Sequence, residues 1–217
     1  MRAIVLLSGG VDSAVTLAYA LVEGRQCIAL TFAYGQRNRV ELNSAKAIAE
    51  YYHVPHRQIT ISSWGAESSS ALLSESRVPQ NRTHQEIAEG GIAPTYVPAR
   101  NTLFLSYALA VAEVENAFEI YFGANADDCL PYPDCRPPYF SAFQEVARYA
   151  TKQAVEIRPP KIITPMIGLQ KSQVIGLGKK LGVPLELTFS CYAPTVEGKQ
   201  CGLCDACMLT RPLRNYE

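Results

Sequence analysis

Apolar runs alternate with amphipathic stretches from the first residues onward. Ala3 to Leu7 and Cys27 to Ala33 are near-continuous apolar segments, and each precedes a stretch with apolar positions three and four residues apart, Asp12 to Glu23 and Arg39 to Tyr52. A short apolar run followed by helical spacing reads as a strand followed by a helix. A third strand is predicted over His56 to Ile61, where Arg57 to Ile61 partly alternates. A fourth covers Phe118 to Phe122, after a long helix that begins near Asn101. Strands that are apolar at every position are covered on both faces, so the pattern predicts a parallel sheet in a three-layer α/β/α domain. Further helices are predicted over Ser141 to Gln153 and over Lys171 to Leu181, the latter stopped by Gly182 and Pro184.

Two stretches break the pattern. Ser62 to Pro94 carries a serine cluster, scattered charges and the pair Gly90-Gly91, with a weak apolar period around Ala71 to Leu73. It reads as a loop or lid with room for one short helix, and a segment of that length inside a compact domain is more often functional or mobile than inert. Ala124 to Tyr139 is rich in Pro, Asp and Cys and also reads as irregular. The division that follows is a catalytic domain over 1–189 with a cysteine module over 190–217 packed on it.

Composition narrows the function. A chain of 217 residues that is 48% apolar can bury one substantial core. Twenty basic and twenty acidic side chains cancel, which argues against nucleic acid as a partner and for a small-molecule substrate. The opening Met1 to Leu7 is interrupted at once by Ser8-Gly9-Gly10, and no run approaches a membrane span, so the expectation is a cytoplasmic protein without membrane contact.

The end of the first strand carries the first candidate chemistry. Ser8-Gly9-Gly10-Val11-Asp12-Ser13 joins the strand directly to a helix. Two glycines allow backbone amides to approach an anion, Ser8 and Ser13 offer hydroxyls, and the helix directs its positive end at the same point. No Gly-Lys-Ser/Thr follows and the glycines are not spaced as in a dinucleotide fingerprint. The plainer alternative is a strand-to-helix turn with a serine or aspartate cap.

The second candidate lies near the C-terminus. Of seven cysteines, Cys191, Cys201, Cys204 and Cys207 cluster, the last three as Cys-x-x-Cys-x-x-Cys. Four thiolates make a closed tetrahedral set with no open position, which suits a structural zinc; an iron–sulfur cluster uses the same ligands. Cys27, inside an apolar strand, reads as packing, and His53, His56 and His84 show no ligand spacing.

The hexapeptide Ser8 to Ser13 resembles the signature of the PP-loop ATP pyrophosphatases, which implies adenylation with release of pyrophosphate. Taken with Thr31-Phe32-Ala33-Tyr34-Gly35-Gln36-Arg37, Tyr96-Val97-Pro98-Ala99-Arg100-Asn101, Tyr132-Pro133-Asp134-Cys135-Arg136 and Cys191-Tyr192 leading to Cys201 to Cys207, the chain resembles the 7-cyano-7-deazaguanine synthases over nearly its whole length. That resemblance implies ATP-dependent conversion of 7-carboxy-7-deazaguanine and ammonia to the nitrile that feeds queuosine, with Mg2+, one structural zinc per chain and a homodimer.

The resemblance also suggests roles. Ser8, Gly9, Gly10, Val11, Asp12 and Ser13 hold the pyrophosphate, with Asp12 reaching magnesium, and Arg100 and Asn101 add to the ATP site, the arginine by a forked contact to phosphate or carboxylate. Asp128, just past the fourth strand, serves as a magnesium or substrate ligand, and Lys171 neutralises phosphate charge. Asp134 and Arg136 suit the base and its carboxylate, and Tyr34, Gln36 and Arg37 line the same mouth. Two positions depart from the family pattern: Ala33 stands where Asp precedes Tyr-Gly-Gln, and Leu130-Pro131 stands where Ser-Gly precedes Tyr-Pro-Asp-Cys-Arg. An enzyme that stops at the amide or takes another carboxylate, a PP-loop transfer-RNA sulfurtransferase, and a nonenzymatic zinc and nucleotide module are the competing readings.

Overall fold

The computed structural model describes residues 1–36, 38–61, 69–74 and 76–211. Arg37 and residues 62–68 of the expected loop therefore lie outside the described residues. Strand β1 (Arg2–Leu6) is the centre of the molecule, and its alternate side chains explain its unbroken apolar character. Ala3 and Val5 point into one core with Leu7, whereas Ile4 and Leu6 point into another. Period-two alternation is present, but both faces are apolar because both are buried.

The other elements build outward from this strand. Helix α1 (Val11–Val22) leads to β2 (Gln26–Ala33), α2 (Val40–Tyr51) to β3 (His56–Thr60), and α4 (Arg100–Val114) to β4 (Glu119–Tyr121). With β5 (Lys161–Ile163) the described strands form one sheet paired in parallel throughout, in the order β3-β2-β1-β4-β5, with Ile4 opposite Ile28 on one side and Ile120 on the other. One core holds residues of α1, α2 and α7 (Lys171–Lys180), and the other holds residues of α4 and α5 (Pro137–Tyr149), which gives the three-layer arrangement. The strand order runs one way through β2 and β3 and turns back at β4. Open α/β sheets bind ligands in the crevice at the carboxyl ends beside such a reversal.

Two elements differ from the expectation. Strand β5 (Lys161–Ile163) pairs with β4, yet its three residues are too few to show a period. The predicted helix from Ser141 to Gln153 is two helices: α5 begins earlier, at Pro137 and Pro138, whose missing N–H groups cost nothing in a first turn, and α6 (Lys152–Glu156) starts anew where Thr151 Oγ1 accepts from Ala154 N at 3.1 Å. The described part of Ser62 to Pro94 holds a short helix, α3 (His84–Glu89), opened by a Thr83–Glu86 capping box.

The C-terminal segment is tied to the rest at several points. Ala71 and Val78 pack with Phe189 and three of the clustered cysteines, Gln80 forms an antiparallel bridge with Cys204, and Arg82 pairs with the buried Asp205 at the start of α8 (Asp205–Leu209). The same segment lies across the first loop, where Phe189 N donates to Gly9 O at 2.9 Å and Val11 N donates to Ser190 Oγ at 3.2 Å.

Candidate active site

A cavity of about 240 Å³ opens at the carboxyl ends of β1, β2 and β4. Its floor is the loop after β1, held in shape by Gly9. That residue has φ +93° and packs so closely on α2 that a Cβ would sit 2.1 Å from Glu41 O. Ser8, Gly10, Asp12 and Ser13 line the cavity; Gly9 and Val11 do not, one acting through its backbone angle and the other anchored in the core at 0% exposure. Ser8 Oγ lies 3.1 Å from Ser13 Oγ and accepts from Gly10 N at 3.3 Å. Gly10 precedes α1 without a side-chain cap, so the first amides of that helix lie beside the cavity.

Beside this loop lies a charged cluster. Lys171, the first residue of α7, is fixed by its own amide, which donates to Asp127 Oδ2 at 2.7 Å, and its ammonium pairs with Asp12 Oδ2. Burial works against the lysine's charge, but the Asp12 and Asp128 carboxylates outweigh it and raise its pKa. Asp128 is pushed up to about 6 by burial and by Asp12, with Lys171 pulling the other way. Asp12 Oδ1 is buried with no hydrogen-bond partner among the described residues. Two carboxylates against one ammonium, with one buried carboxylate oxygen unsatisfied, is a donor set suited to a hard divalent cation.

The opposite wall is aromatic. Phe32 at the end of β2 stacks on Phe104 of α4 with centroids 4.1 Å apart, and Tyr34 tilts against Phe104 at 5.4 Å. Arg100 Nη1 donates to Tyr34 Oη at 2.9 Å. Gln36 is buried and fully engaged: its Oε1 accepts from Tyr34 N at 2.8 Å, and its Nε2 donates to Phe32 O and to Glu41 Oε1, each at 3.1 Å. The tail closes the cavity with Phe189, Ser190, Cys191 and Tyr192.

Of the residues singled out from sequence, Ser8, Gly10, Asp12, Ser13, Tyr34, Gln36, Arg100, Asn101, Asp128 and Lys171 meet in this one cavity. Asp134 and Arg136 do not line it. Asp134 is buried beneath α4, where its Oδ2 accepts from Asn101 N at 2.9 Å and satisfies the start of a helix whose preceding residue, Ala99, sits at φ +52°. Arg136 is exposed and donates to the carbonyls of Cys129 and Leu130 at 2.8 and 3.2 Å, pinning the irregular loop. Asn101 is also committed, since its Nδ2 donates to Asp134 O. Glu41, Phe104, Tyr132 and Ser190 line the cavity without having been singled out. Glu41 looks in sequence like any charged residue of a first helical turn, and Ser190 reaches the loop only because the tail folds back 179 residues.

The four tail cysteines converge. Their sulfurs all lie within 4.8 Å of one another, with Cys191 to Cys201 at 3.6 Å, Cys201 to Cys207 at 3.9 Å and Cys191 to Cys204 at 4.0 Å. A tetrahedral ion with metal–sulfur bonds of about 2.3 Å spaces its thiolates about 3.8 Å apart, so the cluster could hold one metal ion.

Comparison with known proteins agrees with this geometry. The family model described as "Queuosine biosynthesis protein QueC" matches residues 2–215. The chain belongs to the QueC family. Among curated relatives, it is 46% identical over 211 residues to the 7-cyano-7-deazaguanine synthase of Saccharophagus degradans, covering 97% of this chain and 91% of the relative. It is 49% identical over 207 residues to that of Paramagnetospirillum magneticum, covering 95% and 91%. The chain is accordingly a synthase of ligase type. Among solved structures it shares a fold with NMN synthetase from Francisella tularensis, at 20% identity and a TM-score of 0.51 over 100% of this chain and 77% of that one. A 4-thiouridine synthetase bound to RNA and ATP has a TM-score of 0.50 at 18% identity over 86% of this chain and 42% of that one.

Proposed function

We propose that this enzyme uses ATP to convert 7-carboxy-7-deazaguanine and ammonia into 7-cyano-7-deazaguanine through adenylated intermediates. The observation that carries the reading is the meeting, in one cavity at the sheet reversal, of the anion loop, the Asp12–Lys171–Asp128 cluster and an aromatic wall. A carboxylate is a poor electrophile until one oxygen becomes a leaving group. A carboxylate oxygen of the substrate attacks the α-phosphorus of ATP and pyrophosphate departs, cradled by Ser8, Gly10 and Ser13. Ammonia then attacks the acyl carbon, AMP leaves, and the amide forms. A second adenylation, on the amide oxygen, releases pyrophosphate and one nitrogen proton, and departure of AMP with the other nitrogen proton gives the nitrile at two ATP per turnover.

Lys171 neutralises charge gathering on the phosphates, and Arg100 meets a phosphate or the substrate carboxylate with its fork. Mg2+ would sit on Asp12 and Asp128 and supply further neutralisation. The proton released as ammonia adds passes to solvent, because a carboxylate that holds Mg2+ is stabilised in its ionised form. At the tail the four thiolates suit Zn2+, which would hold structure and take no part in the chemistry because no ligand position is left open. The zero net charge counts against a transfer-RNA sulfurtransferase.

The test follows nucleotide products and base mass in parallel, with purified protein, ATP, magnesium, ammonium and 7-carboxy-7-deazaguanine. AMP, pyrophosphate and nitrile are expected, and Ser8→Ala and Asp12→Ala should fold normally yet lose at least 100-fold in rate, about 3 kcal/mol of transition-state stabilisation. Accumulated amide would restrict the reaction to its first half and point to Leu130-Pro131. Absence of AMP would sink the proposal for this acid.

A further inference from the structure

With Asp134 and Arg136 turned away from the cavity, the group that reads the base must be sought among the residues that do line it. A guanine-type ring presents two adjacent donors, its ring N–H and its exocyclic amine, and a carboxylate with both oxygens available is the side chain that pairs with such an edge. Among the described residues three carboxylates line the cavity: Asp12, Asp128 and Glu41. Asp12 is engaged by Lys171, and Asp128 lies in the same charged cluster. Glu41 stands apart, in the first turn of α2, at the end of the cavity walled by Phe32, Tyr34 and Phe104.

Its geometry is prepared. Gln36, itself locked by Tyr34 N and Phe32 O, donates to Glu41 Oε1 at 3.1 Å and fixes the direction of the carboxyl. Among the described residues no other hydrogen bond reaches that carboxyl. The backbone of Glu41 is equally fixed, since its carbonyl packs on the Gly9 turn. The aromatic rings beside it offer a flat surface for a planar heterocycle. For the ionised carboxylate an adenine edge is a poor match, because its ring nitrogen is an acceptor and would face a carboxylate oxygen.

We propose that Glu41, positioned by Gln36, is the residue that recognises the two-donor edge of the 7-deazaguanine ring and makes the site selective for a 2-amino heterocycle. The inference rests on the reaction proposed above. It accounts for a half-buried carboxyl that the chemistry at phosphorus does not use, and it assigns the aromatic end of the cavity to the base and the charged end to the phosphates. Removing a paired carboxylate from a site built to receive two N–H groups costs far more discrimination than removing bulk from an apolar pocket.

The test is calorimetric titration of three proteins, wild type, Glu41→Gln and Glu41→Asp, with three probes: 7-carboxy-7-deazaguanine, its analogue lacking the 2-amino group, and a non-hydrolysable ATP analogue. Wild type should prefer the 2-amino compound at least tenfold. Glu41→Gln, whose amide NH2 opposes a donor, should bind that compound at least tenfold more weakly and lose the preference, with affinity for the ATP analogue within twofold of wild type. Glu41→Asp should retain part of the preference. Far-ultraviolet dichroism and thermal melting establish that the variants are folded. If wild type binds the base and Glu41→Gln binds it equally well, or loses the ATP analogue instead, the assignment of Glu41 is overturned and the reaction stands. If wild type binds neither base but does bind the ATP analogue, the reaction itself fails, and the assignment with it.

Discussion

Glu41 carries a stability consequence that can be measured without any ligand. Burial pushes its carboxyl up to about 7 from an ordinary 4.5, against the pull of Gln36 and Arg100. The folded protein therefore holds this proton more tightly than the unfolded chain does. Below pH 4 both states are protonated and the residue adds no pH-dependent term. Between about pH 4.5 and 7 the unfolded chain releases the proton first, so stability falls as pH rises. Above pH 7 a penalty of about 3 kcal/mol remains in place. Glu41→Gln has nothing to titrate. Urea unfolding of the ligand-free proteins should give similar stabilities near pH 4 and a variant more stable by about 3 kcal/mol at pH 8. Asp128 is shifted in the same direction in both proteins and cancels from the difference. Equal stability at every pH would mean that the Glu41 carboxyl ionises as freely folded as unfolded. A cost of this kind, retained at a ligand-facing position, is what a binding site imposes on a fold.

At the scale of elements, the turn after β1 is the one most constrained by its neighbours. Gly9 and Gly35 both have positive φ, +93° and +87°, but a Cβ on Gly35 would meet nothing within 4 Å, whereas one on Gly9 would strike Glu41 O and come within 2.8 Å of Ala45 N. Gly35→Ala should cost only backbone strain, about 1–2 kcal/mol. Gly9→Ala should cost clearly more, over about 3 kcal/mol, because backbone atoms of α2 cannot rotate aside. Thermal melting of the two variants decides this, and equal losses would show that the loop can lift from α2. These constraints also mark what could be read from sequence. The Ser8 to Ser13 loop was legible because strand, glycines and helix follow one another in the chain, and Lys171 because it opens a helix. Strand β5 was not, since Lys161–Ile163 is apolar at only two of three positions and is a strand only by pairing with β4. The place of Asp134 outside the cavity lining is not legible in sequence, because a carboxylate that caps a helix and one that meets a ligand have the same letter. The difference is the left-handed Ala99, which brings Asn101 N onto that carboxylate from 33 residues away.

The molecule as a whole joins its two chemical centres through a shared wall. Cys191 is at once a member of the four-thiolate cluster and a residue of the cavity lining, flanked there by Ser190, which accepts from the first amide of α1, and by Tyr192, whose hydroxyl lies 3.3 Å from that of Tyr132. Asn38, also in the lining, donates to Cys191 O at 2.9 Å. If ATP binds as proposed, a metal held by the cluster is expected to govern that binding without touching ATP, because it would fix the segment that closes the cavity and meets the loop after β1. The tail has a small core of its own, a few residues around Phe189 and Val78, so most of its order should come from metal ligation. Removing the metal with a chelator should leave the five-stranded sheet folded by far-ultraviolet dichroism, weaken binding of a non-hydrolysable ATP analogue at least tenfold, and expose the tail to limited proteolysis. Readdition of Zn2+ should restore affinity, and Cys204→Ala should behave as the chelated protein does. Chelation that strips the metal yet leaves nucleotide affinity intact would mean that the wall holds itself, and that the thiolate cluster and the phosphate loop are neighbours without being coupled.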